Sequence, residues 1–228
     1  NSNASLNNKR RKLSTLFEWM RKYGLVAKNP VGGIEKFKET SKPVDHMDAV
    51  EFDQLKCGCK TKRDRALVEW LRCTAMRKGE IPGVTINQID WQEGKVLIYG
   101  SKGDAYRTVC LDGLAIKYLK EYISERGLDT KSSQPLFTHS RGDVTKALSE
   151  SGIYSEIKRI AAASGLDRRV YPHLFRKTTA TNIVRRGGTD ADAGEYLGHK
   201  PQGVTSRHYT YKSEEHTTRI FDAYVASV

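Results

Sequence analysis

Cysteine is scarce and poorly spaced for chemistry. The 228-residue chain holds four, Cys57, Cys59, Cys73 and Cys110. They form neither a CxxC pair for zinc nor a disulfide framework, so small buried or free thiols are expected, with no structural metal. Long apolar runs are missing too. Nowhere do about eighteen apolar residues follow one another, which excludes a membrane-spanning helix, and the basic N-terminus lacks the apolar core of a signal peptide. A cytoplasmic protein is expected. The sequence has no GxxxxGK(S/T) loop to cradle nucleotide phosphates and no internal repeat. Acidic side chains are outnumbered, 27 against 39 Lys and Arg. The resulting charge of +12, with a pI near 9.5, attracts polyanions and speeds encounter with them, and points to nucleic acid as the partner.

From Leu6 the chain reads as an amphipathic helix, with Leu13, Leu16, Phe17 and Met20 on one stripe, the basic cluster Lys9, Arg10, Arg11 and Lys12 upstream, and Gly24 as its stop. One helix of this length cannot bury such a stripe alone. The Pro-, Gly- and Lys-containing stretch that follows reads as a linker, which places a boundary at residues 42–45. Beyond it, helices are expected over 46–57, capped by Asp45, and from Lys62 to Cys73 with Leu67, Trp70 and Leu71 inward. The run TAMRKGE then breaks the helix, and Arg77 and Glu80, three apart, suit a short second helix on which Glu80 supports Arg77. Residues 84–111 switch to β-branched and aromatic chemistry with turns at 92–94 and 101–105, a three-stranded antiparallel meander with Lys102 at its second tip. Asp112 caps a helix that stops at Gly127. Another, over 149–163, carries Lys158 and Arg159 on a basic face.

The densest chemistry lies between Tyr171 and Tyr211. Pro172 suits a first helical turn, so His173 and Arg176 share one face near a helix N-terminus, an end that favours an anion. Lys177 adjoins them. Gly187 and Gly188 end that helix, Asp190 caps the next short one, and Gly198 ends that in turn, directly before His199. Tyr209 and Tyr211 follow. The set suits holding and attacking a phosphodiester.

In order and spacing, TAMRKGEIPGV with its meander, HLFRKTTAT, YLGHK and RHYTY resemble the catalytic domain of the tyrosine recombinases, the phage integrase family. The resemblance covers nearly the whole chain. It implies a mainly α catalytic domain with a small three-stranded antiparallel β-sheet over 45–228. Residues 1–44 are similar to the end of a truncated core-binding domain and its interdomain linker. It further implies an active site of Arg77, Lys102, His173, Arg176, His199 and the nucleophile Tyr209, with Glu80 supporting and Tyr211 as the alternative nucleophile. Candidate DNA contacts are Lys9, Arg10, Arg11, Lys12, Lys158, Arg159 and Lys177. The chain departs from the family pattern in carrying Ala75 where glycine is usual, Pro82 soon after Glu80, and nine residues between His199 and Tyr209.

The expected function is site-specific recombination of double-stranded DNA through a covalent 3′-phosphotyrosine and a Holliday junction. No cofactor is expected, since the bond energy is kept in the phosphotyrosine. The family further implies a homo-tetramer on paired DNA sites, built by exchange of the C-terminal helix (Ile220, Phe221, Tyr224 and Val225 at helical spacing), in a cytoplasmic, nucleoid-associated setting. Two rivals share parts of this pattern: a type IB topoisomerase-like DNA-relaxing enzyme, and a non-enzymatic DNA-binding module derived from a recombinase.

Overall fold

Helix α3 (Lys62–Thr74) is the axle of the larger part of the molecule, buried on nearly every side. The Thr61 hydroxyl and the Asp64 carboxylate cap its start reciprocally. Leu67, Trp70, Leu71 and Cys73 are inward; each large apolar side chain so buried contributes roughly 1.5–3 kcal/mol. Trp70 meets Phe137 edge-on at 6.0 Å, and Phe137 stacks on Tyr122 of α4 (Gly113–Glu125) at 5.9 Å. The computed structural model describes residues 2–40, 43–99, 106–139, 145–198 and 214–226. It separates into two compact units, Asn1–Pro43 and Val44–Val228.

In the first unit, α1 (Asn3–Lys22) is accompanied by the chain that follows it. The Asn7 amide donates to the Phe37 carbonyl at 2.8 Å and its oxygen accepts the Phe37 N–H at 2.9 Å, while Asn29 donates to Ser14 and Glu18. These straps are polar. Part of the apolar stripe is left bare, with Leu13 and Leu16 about half exposed while Phe17 and Met20 are half-buried.

In the second unit, α2 (Ala49–Cys57), α5 (Glu150–Ala163) and α6 (Pro172–Arg185) join α3 and α4 around one core. α2 ends against α5 so closely that a Cβ on Gly58 would lie 2.1 Å from the Ile160 carbonyl oxygen. The expected meander is present as β1 (Ile89–Asp90), β2 (Lys95–Tyr99) and β3 (Tyr106–Cys110), antiparallel in the order β1-β2-β3. Its register pairs Val96 with Val109 and Ile98 with Arg107. Val96, Ile98, Arg107 and Val109 therefore face inward while Leu97, Tyr99 and Tyr106 face out. α7 (Asp190–Tyr196) and α8 (Glu214–Tyr224) close the unit, and Phe221 stacks on Tyr196 at 6.4 Å. No helix among the described residues is long and apolar enough to cross a membrane.

Two expected caps are corrected. Asp48, not Asp45, caps α2, because its carboxylate accepts the Glu51 N–H at 2.8 Å and Glu51 answers at the Asp48 N–H. Asp45 is taken instead by Arg168. Similarly, Thr189 caps α7 with Asp192 reciprocating, and Asp190 is merely the first helical residue. A third correction concerns Arg77. It stands in the turn that follows α3, not on a second helix.

Candidate active site

Helix α3 ends in an unusual way. Ala75, its C-cap, adopts the left-handed conformation at φ 46°, ψ 30°, the one non-glycine residue with positive φ among those described. That costs an L-residue about 1–2 kcal/mol, and it swings the chain sharply enough to deliver Arg77 two residues later. Glu80 then catches Arg77 twice, through its backbone N–H at 2.8 Å and its Nη1 at 3.0 Å. Nη2 of Arg77 donates to the Gly198 carbonyl at 3.3 Å. Burial alone would push the Glu80 carboxyl up, but hydrogen bonds and charge from Arg107, then from Arg77, outweigh it and hold the group below the ordinary carboxylate range.

Helix α6 begins as its sequence predicts, with Tyr171 extended and Pro172 in the first turn. His173 is exposed there and Arg176, one turn on, is buried. Arg176 donates to the carbonyls of Ala75 and Leu197, the latter at 2.8 Å. No carboxylate accepts from it among the described residues. Burial first, then the neighbouring charges of Arg77 and Arg107, pull its pKa down to about 9. The group is still a cation at neutral pH, but one short of negative charge. The same causes act on His173: partial burial, then Arg176, Lys177 and Arg77, lower its pKa and favour the neutral imidazole.

The end of α7 completes the described part. The Tyr196 hydroxyl, fully buried, donates to the Cys73 carbonyl at 2.5 Å. That bond fixes the chain end whose Leu197 and Gly198 carbonyls receive the two arginines. His199 is the next residue. Lys102, His199, Tyr209 and Tyr211 lie outside the described residues; in sequence, Lys102 falls between the end of β2 and the start of β3.

Of the residues expected to touch DNA, Lys9, Arg11, Lys12 and Lys158 are exposed, and Arg10 and Lys177 are half-buried. Arg10 donates to the Ile34 carbonyl. Arg159 is exposed yet bound to Asp64 and Glu156. No group of three or more His, Cys, Asp or Glu side chains placed to hold a metal exists among the described residues. Two residues at this site were missed by sequence reasoning: Arg107, which grips Glu80 from β3, and Tyr196. Arg107 gave a signal, a charge at an inward-facing strand position.

The sequence profile of the phage integrase family matches residues 45–216. The chain belongs to that family. Tyrosine recombinase XerC of Pelobacter propionicus is 31% identical over 225 residues, covering 93% of this chain and 71% of that protein. XerC of Proteus mirabilis is 29% identical over 215 residues, covering 92% of this chain and 69% of that protein. Among solved structures, the XerH site-specific recombinase in its pre-cleavage complex with difH superposes with a TM-score of 0.64 at 30% identity, over 94% of this chain and 64% of that one. A lambda integrase tetramer bound to a Holliday junction superposes with a TM-score of 0.65 at 18% identity, over 92% of this chain and 61% of that one. This integrase-family chain is accordingly a tyrosine-type site-specific DNA recombinase with the fold of that catalytic domain.

Proposed function

We propose that Arg77, Lys102, His173, Arg176, His199 and Tyr209 form one active site that cleaves and rejoins recombination-site DNA without a cofactor. One observation carries this: two neighbouring guanidinium groups, Arg77 and Arg176, converge on the carbonyls that precede His199, and the buried one lacks a carboxylate partner among the described residues. A phosphodiester supplies the missing charge. As Tyr209 attacks, the phosphorane gathers negative charge on its non-bridging oxygens, and guanidinium forks match it in both shape and charge. A phenol with a pKa near 10 needs help to attack at neutral pH. His173, held neutral, accepts its proton. His199 donates a hydrogen bond to the phosphate. Lys102 protonates the departing 5′-oxygen, leaving a 3′-phosphotyrosine. The reverse reaction, with a new 5′-hydroxyl, seals the exchanged strand.

The 1–44 segment acts in this reading as the end of a core-binding domain and its linker, with Lys9 to Lys12 against the DNA backbone, while Lys158, Arg159 and Lys177 form the catalytic domain's phosphate contacts. Each such contact makes the slope of log affinity against log salt more negative by about 0.9. A homo-tetramer on paired sites with exchanged C-terminal helices is the assembly we infer, supported by the lambda integrase tetramer on its junction. The protein works in the cytoplasm, at the nucleoid.

A nicked suicide DNA carrying the chain's own recombination site tests the core of this. A covalent protein–DNA adduct is expected on denaturing gels, lost in Tyr209→Phe and kept in Tyr211→Phe. Loss in Tyr211→Phe alone moves the nucleophile to Tyr211; no adduct from the unaltered chain removes the catalytic reading.

A further inference from the structure

We propose that Arg107 is a positioning residue of this active site: by sharing the Glu80 carboxylate, it holds Arg77 in place and keeps Arg77's charge available to the scissile phosphate. The inference rests on the reading of Arg77 as a phosphate ligand.

Arg107 occupies an inward register on β3, opposite Ile98, and is only 8% exposed. A charge so buried is costly unless paired. Its partner is Glu80, which it grips with both fork nitrogens, Nη1 at 3.0 Å and Nη2 at 2.6 Å. Glu80 is thus held from both sides, since the same two oxygens also accept the Arg77 backbone N–H and Nη1. The charge count gives this its meaning. An isolated Arg77–Glu80 pair is neutral, and its carboxylate would offset the cation that a phosphorane needs. With Arg107 added the cluster carries +1, so Glu80 orients Arg77 without cancelling it.

A second contact leads the same way. Gly198, whose carbonyl receives Arg77, packs directly on the Arg107 side chain: a Cβ there would lie 2.7 Å from Arg107 Cδ and 3.1 Å from its Nε. Arg107 therefore also shapes the chain just before His199. Arg107 is the second residue of β3, the strand that follows Lys102 in sequence. One buried guanidinium thereby links the strand behind the general acid, the carboxylate behind one phosphate ligand, and the approach to another.

The test uses the unaltered chain, Arg107→Gln, Arg107→Lys, Glu80→Gln and the Arg107→Gln/Glu80→Gln double variant, in single-turnover adduct formation on the nicked suicide DNA, with DNA affinity and thermal unfolding measured beside it. Arg107→Gln is expected to slow adduct formation by about tenfold to a hundredfold, with affinity nearly unchanged. The double variant should then react several-fold faster than Arg107→Gln, because the unshared carboxylate is gone. The Arg107→Gln defect should also shrink on a substrate whose scissile phosphate is a methylphosphonate, which has one charge fewer to neutralise. If Arg107→Gln does not fold, Arg107→Lys carries the comparison, slowed on the phosphodiester and closer to normal on the methylphosphonate. An Arg107→Gln rate equal to that of the unaltered chain overturns the inference, as does a double variant no faster than the single. No adduct from the unaltered chain is a different failure, that of the active-site reading itself.

Discussion

Replacing Arg176 by glutamine should slow strand cleavage by orders of magnitude while changing stability only modestly. The side chain is 2% exposed, and burial has pulled its pKa down from the ordinary arginine value to about 9. At 1.36 kcal/mol for each tenfold change in proton affinity, keeping this cation in the folded chain costs about 5 kcal/mol at neutral pH, as an order of magnitude. Against that stand its two hydrogen bonds, to the carbonyls of Ala75 and Leu197. Each bond from a charged donor contributes about 1.5–3 kcal/mol, and a glutamine amide can keep one. The opposing contributions nearly cancel, so Arg176→Gln should shift stability by no more than about 2 kcal/mol in either direction. Removing one partner of a satisfied buried ion pair typically costs about 3–5 kcal/mol. Adduct formation should fall by about 10²–10³ for the lost phosphate donor. Urea unfolding at unchanged m-value measures the first quantity and the suicide-substrate assay the second. The pH dependence has a definite sign. A base whose folded pKa lies below its unfolded one handicaps the fold fully below about pH 9 and progressively less above it, so any stability advantage of Arg176→Gln should shrink as pH rises past 9. Destabilisation by more than about 3 kcal/mol would refute the argument that Arg176 is held ready for an anion at the fold's expense.

Three further outcomes follow from the same geometry. Because burial and three cations lower the His173 pKa, the acid limb of the single-turnover rate should lie below the ordinary histidine value of 6.5, and His173→Gln should remove it; a limb above pH 7 in the unaltered chain contradicts His173 as the base. Ala75→Gly relieves about 1 kcal/mol of left-handed strain and loses a buried methyl worth about 0.8 kcal/mol, so thermal unfolding should scarcely move, unlike glycine substitution inside α3. Iodoacetamide at pH 8 should label exposed Cys57 first, since burial pushes the Cys59 and Cys110 thiols up to about 11 and Cys73 higher still; peptide mapping shows the order.

The architecture was legible wherever one physical signal dominated. The inward stripe of α3, Asp112 as the cap of α4, Pro172 at the start of α6 and the alternation in β2 all act locally. Caps were less secure, since Asp45 and Asp48 are equally good acceptors in a string of letters. What chose Asp48 is the reciprocal Glu51 and the distant claim of Arg168 on Asp45. For the site, Glu80 as the support of Arg77 was readable from spacing, although the turn that carries them was not. Arg107 and Tyr196 were invisible for a plainer reason. Their partners lie 27 and 123 residues away, and only folding brings them together. Arg159 is alike: its exposed guanidinium also meets Asp64 from α3, a partner that the spacing along its own helix does not announce.

Gly58 carries a historical consequence. With the Ile160 carbonyl oxygen 2.1 Å from where any Cβ would sit, no substitution there is small. Alanine already requires α2 and α5 to part, and every larger residue asks for more. Descendants of this sequence can drift freely over the solvent faces of both helices while position 58 stays fixed, or they can change it once and repack two helices together. A lineage lacking that glycine should therefore differ along the whole α2–α5 seam, and its substitutions there should have arrived as a set.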